Sequence, residues 1–363
     1  MPFSPEPPHK HGQTPRTAVL YCNLGTPDEP TPKAVRRYLA EFLSDPRVVE
    51  IPRLLWMVIL HGIILRFRPA KSAAKYASIW TKEGSPLKVW TDKQAKLLQG
   101  WLGQRNHYVK VRWAMRYGST SIASQLDAMK ADGVTRVLIV PAYPQYSGTT
   151  TASVFDAVYQ WAQNTRAIPE LRFVNRYHDH PDYIAALAAS VERQWRKNGL
   201  PDKVVMSFHG VPERTLHLGD PYHCECLKTA RLLAAKLGLE KDHYKVTFQS
   251  RLGRAKWLEP YTEPTLIAMG KAGVKRVDVI CPGFTSDCLE TLEEINMEAR
   301  AAFLKAGGKE FRYIPCLNDD PEWITALCNV TQTHLQGWNT LEAANTQMLQ
   351  ASRDAALAAG AKD

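Results

Sequence analysis

The sequence predicts an α/β chain of two related domains, each a doubly wound parallel sheet. Strand-like apolar runs alternate with helical stretches along the chain, and part of that pattern occurs twice. Such alternation gives parallel strands with helices on both faces of the sheet. The repeated part is "LDAMKADGVTRVLIV" from Leu126 and "LIAMGKAGVKRVDVI" from Leu266, in register at a constant offset of 140 residues. "MRYG" around Arg116 and "SRLG" around Arg251 form a second, shorter match.

Taken in order, the first half reads as strand "TAVLYCNLG", helix "PKAVRRYLAEFL", strand "YVKVRWAMRYG", helix "SIASQLDAMKADG", strand "VTRVLIVPAYPQYSG" and helix "SVFDAVYQWAQ". The second half repeats the plan with strands "KVVMSFHG", "YKVTFQSRLG" and "VKRVDVICPGFTSD". "NRYHDHPDYIAAL" bridges them. The division is a disordered tail (1–16), a first domain (17–178), a second domain (179–330) and a C-terminal helix and tail (331–363). After Pro321 the chain turns helical and is expected to pack back across the pair. The tail, "MPFSPEPPHKHGQTPR", is proline-rich and lacks the apolar stretch of a signal peptide.

At 363 residues and 45% hydrophobic content the chain has room for two domains. A formal net charge of +10 and a pI near 9.2 favour acidic partners. The basic residues are scattered, and no zinc-finger, helix-turn-helix or RNP pattern occurs, so nucleic acid is not an expected partner. Neither G-x-G-x-x-G nor a P-loop lysine follows any strand, which argues against a nucleotide site. The seven cysteines are odd in number and sit mostly in apolar strands, which suits reduced thiols in the cytoplasm.

"IPRLLWMVILHGIILRFRP", residues 51–69, has an apolar core from Leu54 to Leu65, broken by His61 and Gly62. A membrane span needs roughly 18 apolar residues, so this segment is too short. It is either a buried helix or an exposed apolar lip flanked by Arg53, Arg66 and Arg68.

"VVMSFHGVPERT", residues 204–215, ends an apolar run on His209. In doubly wound sheets ligands gather beyond the carboxyl ends of the strands, where His209 falls. The plain alternative is a capping or hydrogen-bonded core histidine. After "VKRVDVICP" the chain opens a helix with "GFTSDCLETLEEI". There Asp287, Glu290, Glu294 and Glu298, at intervals of three, four and four, share one α-helical face. Acids in a first turn suit the macrodipole, and Asp287 with Glu290 resembles a capping box. A stripe continued over three turns suits the passage of a hydrated divalent cation instead. Neutral imidazole with carboxylate fits ferrous and similar ions, and both groups accept protons near neutral pH.

"SFHGVPERT", "GDPYHCE", "TFQSRLGRAKWLEP" and "FTSDCLETLEEI", in that order, resemble the ferrochelatase family, whose members insert ferrous iron into a porphyrin. "NLGTPDEP", "EGSPL", "MRYG" and "YPQYSGTT" match the same family, and the resemblance covers roughly residues 17–330. It implies a chelatase-like fold, two Rossmann-like halves with the active-site cleft between them. It implies a lyase that inserts Fe(II) into protoporphyrin IX with release of two protons, the terminal step of haem biosynthesis. Carried over, the catalytic and metal-binding residues are His209 and Glu290, and the metal path is Asp287 and Glu294. The porphyrin would be bound by Asn23, Leu24, Arg68, Tyr76, Arg116, Tyr117 and Trp257. Residues 54–65 become the apolar lip, open to peripheral contact with an anionic membrane. The alternatives are a chelatase for another tetrapyrrole, such as coproporphyrin or a cobalt or nickel substrate, and a non-catalytic haem or metal carrier.

Two departures from the family matter. Cys288 stands where some relatives carry histidine. Relatives with an iron–sulfur cluster use a C-terminal cysteine triplet and a cysteine in the "YPQYS" loop; here Gly148 fills the loop position and no cysteine follows Cys328. Cys224 and Cys226 form only a C-x-C pair, so no cluster and no other cofactor is expected.

Overall fold

One strand order is used twice. The computed structural model describes residues 3–251, 253 and 255–362. The first parallel sheet runs β2-β1-β3-β4, from β1 (Arg16–Gly25), β2 (Val109–Tyr117), β3 (Val134–Pro141) and β4 (Glu170–Phe173). The second runs β6-β5-β7-β8, from β5 (Lys203–His209), β6 (Tyr244–Gln249), β7 (Arg276–Ile280) and β8 (Glu310–Tyr313). The sequence repeat therefore superposes β3 on β7, and Leu126 and Leu266, both 0% exposed, occupy equivalent core positions. Strands covered on both faces read as continuous apolar runs, which is why β1, β3 and β5 were legible.

The helices of the first half are α1 (Pro32–Ser44), α2 (Arg53–Ile59), α3 (Leu65–Ile79), α4 (Pro86–Gln104), α5 (Ile122–Ala131) and α6 (Ser153–Gln163). Then come α7 (Pro181–Asn198), α8 (Glu213–His217), α9 (Tyr222–Lys236), α10 (Thr262–Lys271), α11 (Arg300–Lys305), α12 (Pro321–Leu335) and α13 (Thr346–Ala358). Among the described residues three segments wind as π-helix: Leu60–Ile64, Gly148–Ala152 and Glu290–Ala299.

The helix after each sheet's last strand docks on the other half. On α7, which follows β4, Tyr183 donates to the Pro282 carbonyl and Trp195 Nε1 donates to Asp278 Oδ2 at 2.9 Å, beside β7. On α12, which follows β8, Asn329 Oδ1 accepts from Arg105 at 2.6 Å, at the end of α4. The largest core follows this exchange: Tyr21 and Leu98 of the first half are continuous with Met206, Phe208 and Trp323 of the second.

The N-terminal tail touches the first domain at a few points. Residues 3–15 have almost no regular structure, but Glu6 accepts the backbone N–H groups of Arg166 (2.8 Å) and Ala167 (3.2 Å) and pairs with Lys130. One carboxylate thus anchors a proline-rich segment that has no apolar face of its own. No helix among the described residues is long and apolar enough to cross a membrane.

Candidate active site

Both sheets point their strand ends at one cleft of about 560 Å³, within the range of small-molecule sites. Asn23, Leu24, Arg68, Tyr76, His209, Trp257, Glu290 and Glu294 line it.

His209 is the last residue of β5, and its Nδ1 lies 2.6 Å from the Gly210 carbonyl. A carbonyl only accepts, so Nδ1 carries the proton and Nε2 is left with its lone pair. The backbone here cannot move away. Gly210 N–H donates to the Gln249 carbonyl at 2.7 Å, and a Cβ at Gly210 would meet that oxygen at 2.7 Å and Trp257 at 3.1 Å. The glycine after the histidine is required by this close approach, which also packs the indole of Trp257 against the same turn.

The acidic wall is the π-helix Glu290–Ala299. The end of β6 ties it in place: Gln249 Nε2 donates to the Glu290 carbonyl at 2.9 Å, and Ser250 donates to Glu294 through its N–H (2.7 Å) and hydroxyl (2.5 Å). Burial pushes the Glu294 carboxyl above the usual carboxylate range, and the Ser250 hydrogen bonds and nearby His209 pull it back only in part. Burial, then Glu290, raises the Cys288 thiol, so it is held as S–H rather than as a soft thiolate ligand.

The opposite wall is basic and aromatic. Arg68 and Lys71 of α3 line the cleft there, while Arg251 lines it from the acidic side, next to Ser250. Burial pulls the Arg68 guanidinium below its usual value, the mark of a cation held partly out of water. Tyr38 and Tyr76 pack edge to face with centroids 6.4 Å apart. One wall carries cations and flat apolar surface, and the other carries carboxylates.

Three residues expected at the site do not line it. Asp287 is 5% exposed and turned away from the cleft. Its carboxylate accepts from Asn318 Nδ2 (2.7 Å), Thr291 Oγ1 (3.0 Å) and the Tyr313 hydroxyl. The α-helical spacing fails because Asp287 precedes the helix start and Glu290 begins a π-helical turn. Arg116 and Tyr117 stand behind the wall. Arg116 donates to Asp45 (2.7 Å) and Ser153 Oγ (2.7 Å), and the fully buried Tyr117 donates to the same Asp45 oxygen at 2.7 Å. They brace the ring of Phe42, 5.1 Å from that of Tyr117, and Phe42 does face the cleft.

Asp287→Asn should accordingly act on stability. It sets an amide N–H₂ among three donors, a loss of about 1–3 kcal/mol. The melting temperature should fall while the apparent KM for metal stays within about twofold. A raised KM with unchanged melting would return Asp287 to the metal path.

Sequence reading missed Lys75, Glu293, Gln249 and Ser250. The last two lie inside "TFQSRLG", whose length as a motif was the available signal. The other two pair across 218 positions, which no local pattern exposes.

The lip is exposed. Leu54, Val58 and Phe67 are 87%, 71% and 76% accessible, and α2 buries none of its residues. Trp56 is the tether, its Nε1 donating to the Leu43 carbonyl at 2.6 Å. Among the described residues no three His, Cys, Asp or Glu side chains converge as a metal cage.

The ferrochelatase family profile matches residues 16–335. Ferrochelatase of Polaromonas sp. strain JS666 is 70% identical over 99% of this chain and 100% of its own. That of Methylibium petroleiphilum strain PM1 is 67% identical over 97% of each, and that of Dechloromonas aromatica strain RCB 57% over 99% of each. The solved structure of SirB from Bacillus subtilis with Fe3+ superposes with a TM-score of 0.52 at 13% identity, covering 90% of this chain and 100% of that one. At that identity the likeness concerns the fold alone.

Proposed function

We propose that this chain, which belongs to the ferrochelatase family, is a lyase that inserts ferrous iron into protoporphyrin IX, releasing two protons and forming protohaem. The observation that carries this reading is an imidazole with a free Nε2, fixed at a strand end in a cleft that Glu290 and Glu294 also line, together with aromatic and cationic side chains.

The chemistry explains the division of walls. A flat porphyrin hides its nitrogen lone pairs and holds two N–H protons. Insertion requires a pyrrole bent out of plane, then proton removal as the metal bonds form. Burial of the rest of the macrocycle against Tyr38, Tyr76, Trp257 and Leu24 can supply the energy for bending, since each buried aromatic covers roughly 150–250 Å². Arg68, Lys71 and Arg251 suit the propionates. Ferrous iron then reaches the ring past Glu294 and Glu290; His209 Nε2 takes one pyrrole proton and the Glu290 carboxylate the other. Two weak carboxylates release the metal onward, which a tight cage would not.

The test is anaerobic mixing of purified protein, Fe(II) and protoporphyrin, following loss of porphyrin fluorescence and growth of the haem Soret band. Multiple turnovers are expected. Binding without conversion would mean a carrier, and conversion of coproporphyrin in preference to protoporphyrin would assign the three cations to a more carboxylated substrate. No iron–sulfur cluster is expected, because Gly148 stands at the loop position and no cysteine follows Cys328, so the thiolate ligands that cluster-bearing relatives use are missing.

The exposed lip supports docking of an insoluble substrate and peripheral, salt-sensitive contact with an anionic membrane on the cytoplasmic side, since exposed charges are screened over about 8 Å at physiological ionic strength. Replacing Leu54, Val58 and Phe67 together with Ser should raise KM for protoporphyrin about three- to tenfold and leave the melting temperature unchanged. Each is largely bare, so little folded-state packing is lost. A drop in melting of several degrees would make the segment core.

A further inference from the structure

Lys75 of α3 reaches across to the acidic wall, where its Nζ donates to Glu293 Oε2 and to Glu298 Oε1, each at 2.9 Å. Glu293 is buried and Glu298 half exposed. These two carboxylates are five residues apart. In an α-helix, at about 100° per residue, they would lie about 140° round from one another and could not share one ammonium without distortion. In π winding, with its i→i+5 hydrogen bonds, residue five returns near the same face. The N–H of Arg300 bonds in this way to the carbonyl of Ile295.

We propose that Lys75 is a positioning residue that selects the π register of residues 290–299 and so fixes the facing of Glu294 relative to Glu290. This rests on the reading of those two carboxylates as the iron route. Relaxation to α winding beyond Glu290, which Gln249 anchors, would rotate every later side chain and draw Glu294 away from Ser250 and the cleft. The clamp also joins the lip to the wall, since α3 carries Arg68, Lys71 and Tyr76 as well. Arg68 and Tyr76 thus keep a set distance from the carboxylates opposite.

The test uses the full chain with Lys75→Met, Glu298→Ala, the double variant and Lys75→Arg, and two readouts. One is steady-state insertion with Fe(II) varied at saturating porphyrin. The other is hydrogen exchange of the amides of residues 293–299, which needs no activity. Each neutralising variant should raise the apparent KM for iron about fivefold and speed exchange in that segment. The double variant should be no worse than either single one, because both remove one clamp. Lys75→Arg should restore most of both. Unchanged exchange in Lys75→Met would overturn the proposal. So would a raised porphyrin KM in Lys75→Met with Glu298→Ala silent, which would make Lys75 a propionate contact. If the wild-type protein shows no insertion at all, the function reading fails while exchange still judges the clamp. Should Lys75→Met not fold, the half-exposed Glu298→Ala carries the same two readouts.

Discussion

His209→Ala is expected to lower kcat for iron insertion by about 10²–10⁴-fold, the usual contribution of a positioned proton acceptor. Porphyrin affinity should change by less than about threefold, because the ring is one small part of a long aromatic and aliphatic wall. The fold should survive. His209 is only partly buried, and the hydrogen bond it makes through Nδ1 is to its neighbour's carbonyl. The strand is held by the backbone bond from Gly210 to Gln249 and by the Tyr222 hydroxyl, which donates to the His209 carbonyl at 2.9 Å. The decisive comparison is single-turnover loss of porphyrin fluorescence against equilibrium porphyrin binding. Near-normal turnover with a lowered melting temperature would make His209 a strand-end cap. His209→Asn separates the alternatives further: it can keep a donor near the Gly210 carbonyl but supplies no basic nitrogen, so it should match the alanine variant in rate.

The sequence carried more of the fold than of the site, and the reason is physical. Parallel strands buried on both faces declare themselves as apolar runs, and a duplicated core repeats its large residues, as Leu126 and Leu266 do. Side-chain direction at the cleft depends on features that leave no periodicity. The spacing of Asp287, Glu290 and Glu294 assumes 3.6 residues per turn from a helix start that includes Asp287. The chain instead starts the helix later and widens its winding, which turns Asp287 toward Asn318 and brings Glu293 to Lys75. Arg116 and Tyr117 sit at a strand end as the repeat implies, yet the buried Asp45 draws both behind the wall. Exposure of the lip was likewise invisible in composition, since a run such as "LLWMVIL" buries or bares itself according to its neighbours.

Glu290→Gln and Glu294→Gln should part company, in activity and in stability. Glu290, at the start of the π-helix and held through its carbonyl by Gln249, stands at the end of the wall nearest the strand ends. Removing its charge should cost about 100-fold in kcat, since it would share the metal and the protons with His209 at the reacting centre. Glu294, one turn further out, should show mainly a raised KM for iron, by about tenfold. Stability should move the other way for Glu294. Burial is the largest influence on its carboxyl and raises its pKa. A carboxyl with a raised folded-state pKa favours the fold below its unfolded pKa and loses that advantage as the pH climbs through the raised value. At neutral pH the ionised Glu294 therefore costs stability, which Gln would relieve while still accepting from the Ser250 N–H. The variant should melt about 1–2 °C higher at pH 7.5, and the gain should shrink as the pH falls toward the ordinary carboxylate range. A slower enzyme that is more stable is the signature of a charge kept for function against the preference of the fold. Equal, mild losses of rate in both variants, with melting unchanged at every pH, would reduce the acidic wall to helix capping and remove the basis for an iron route along it.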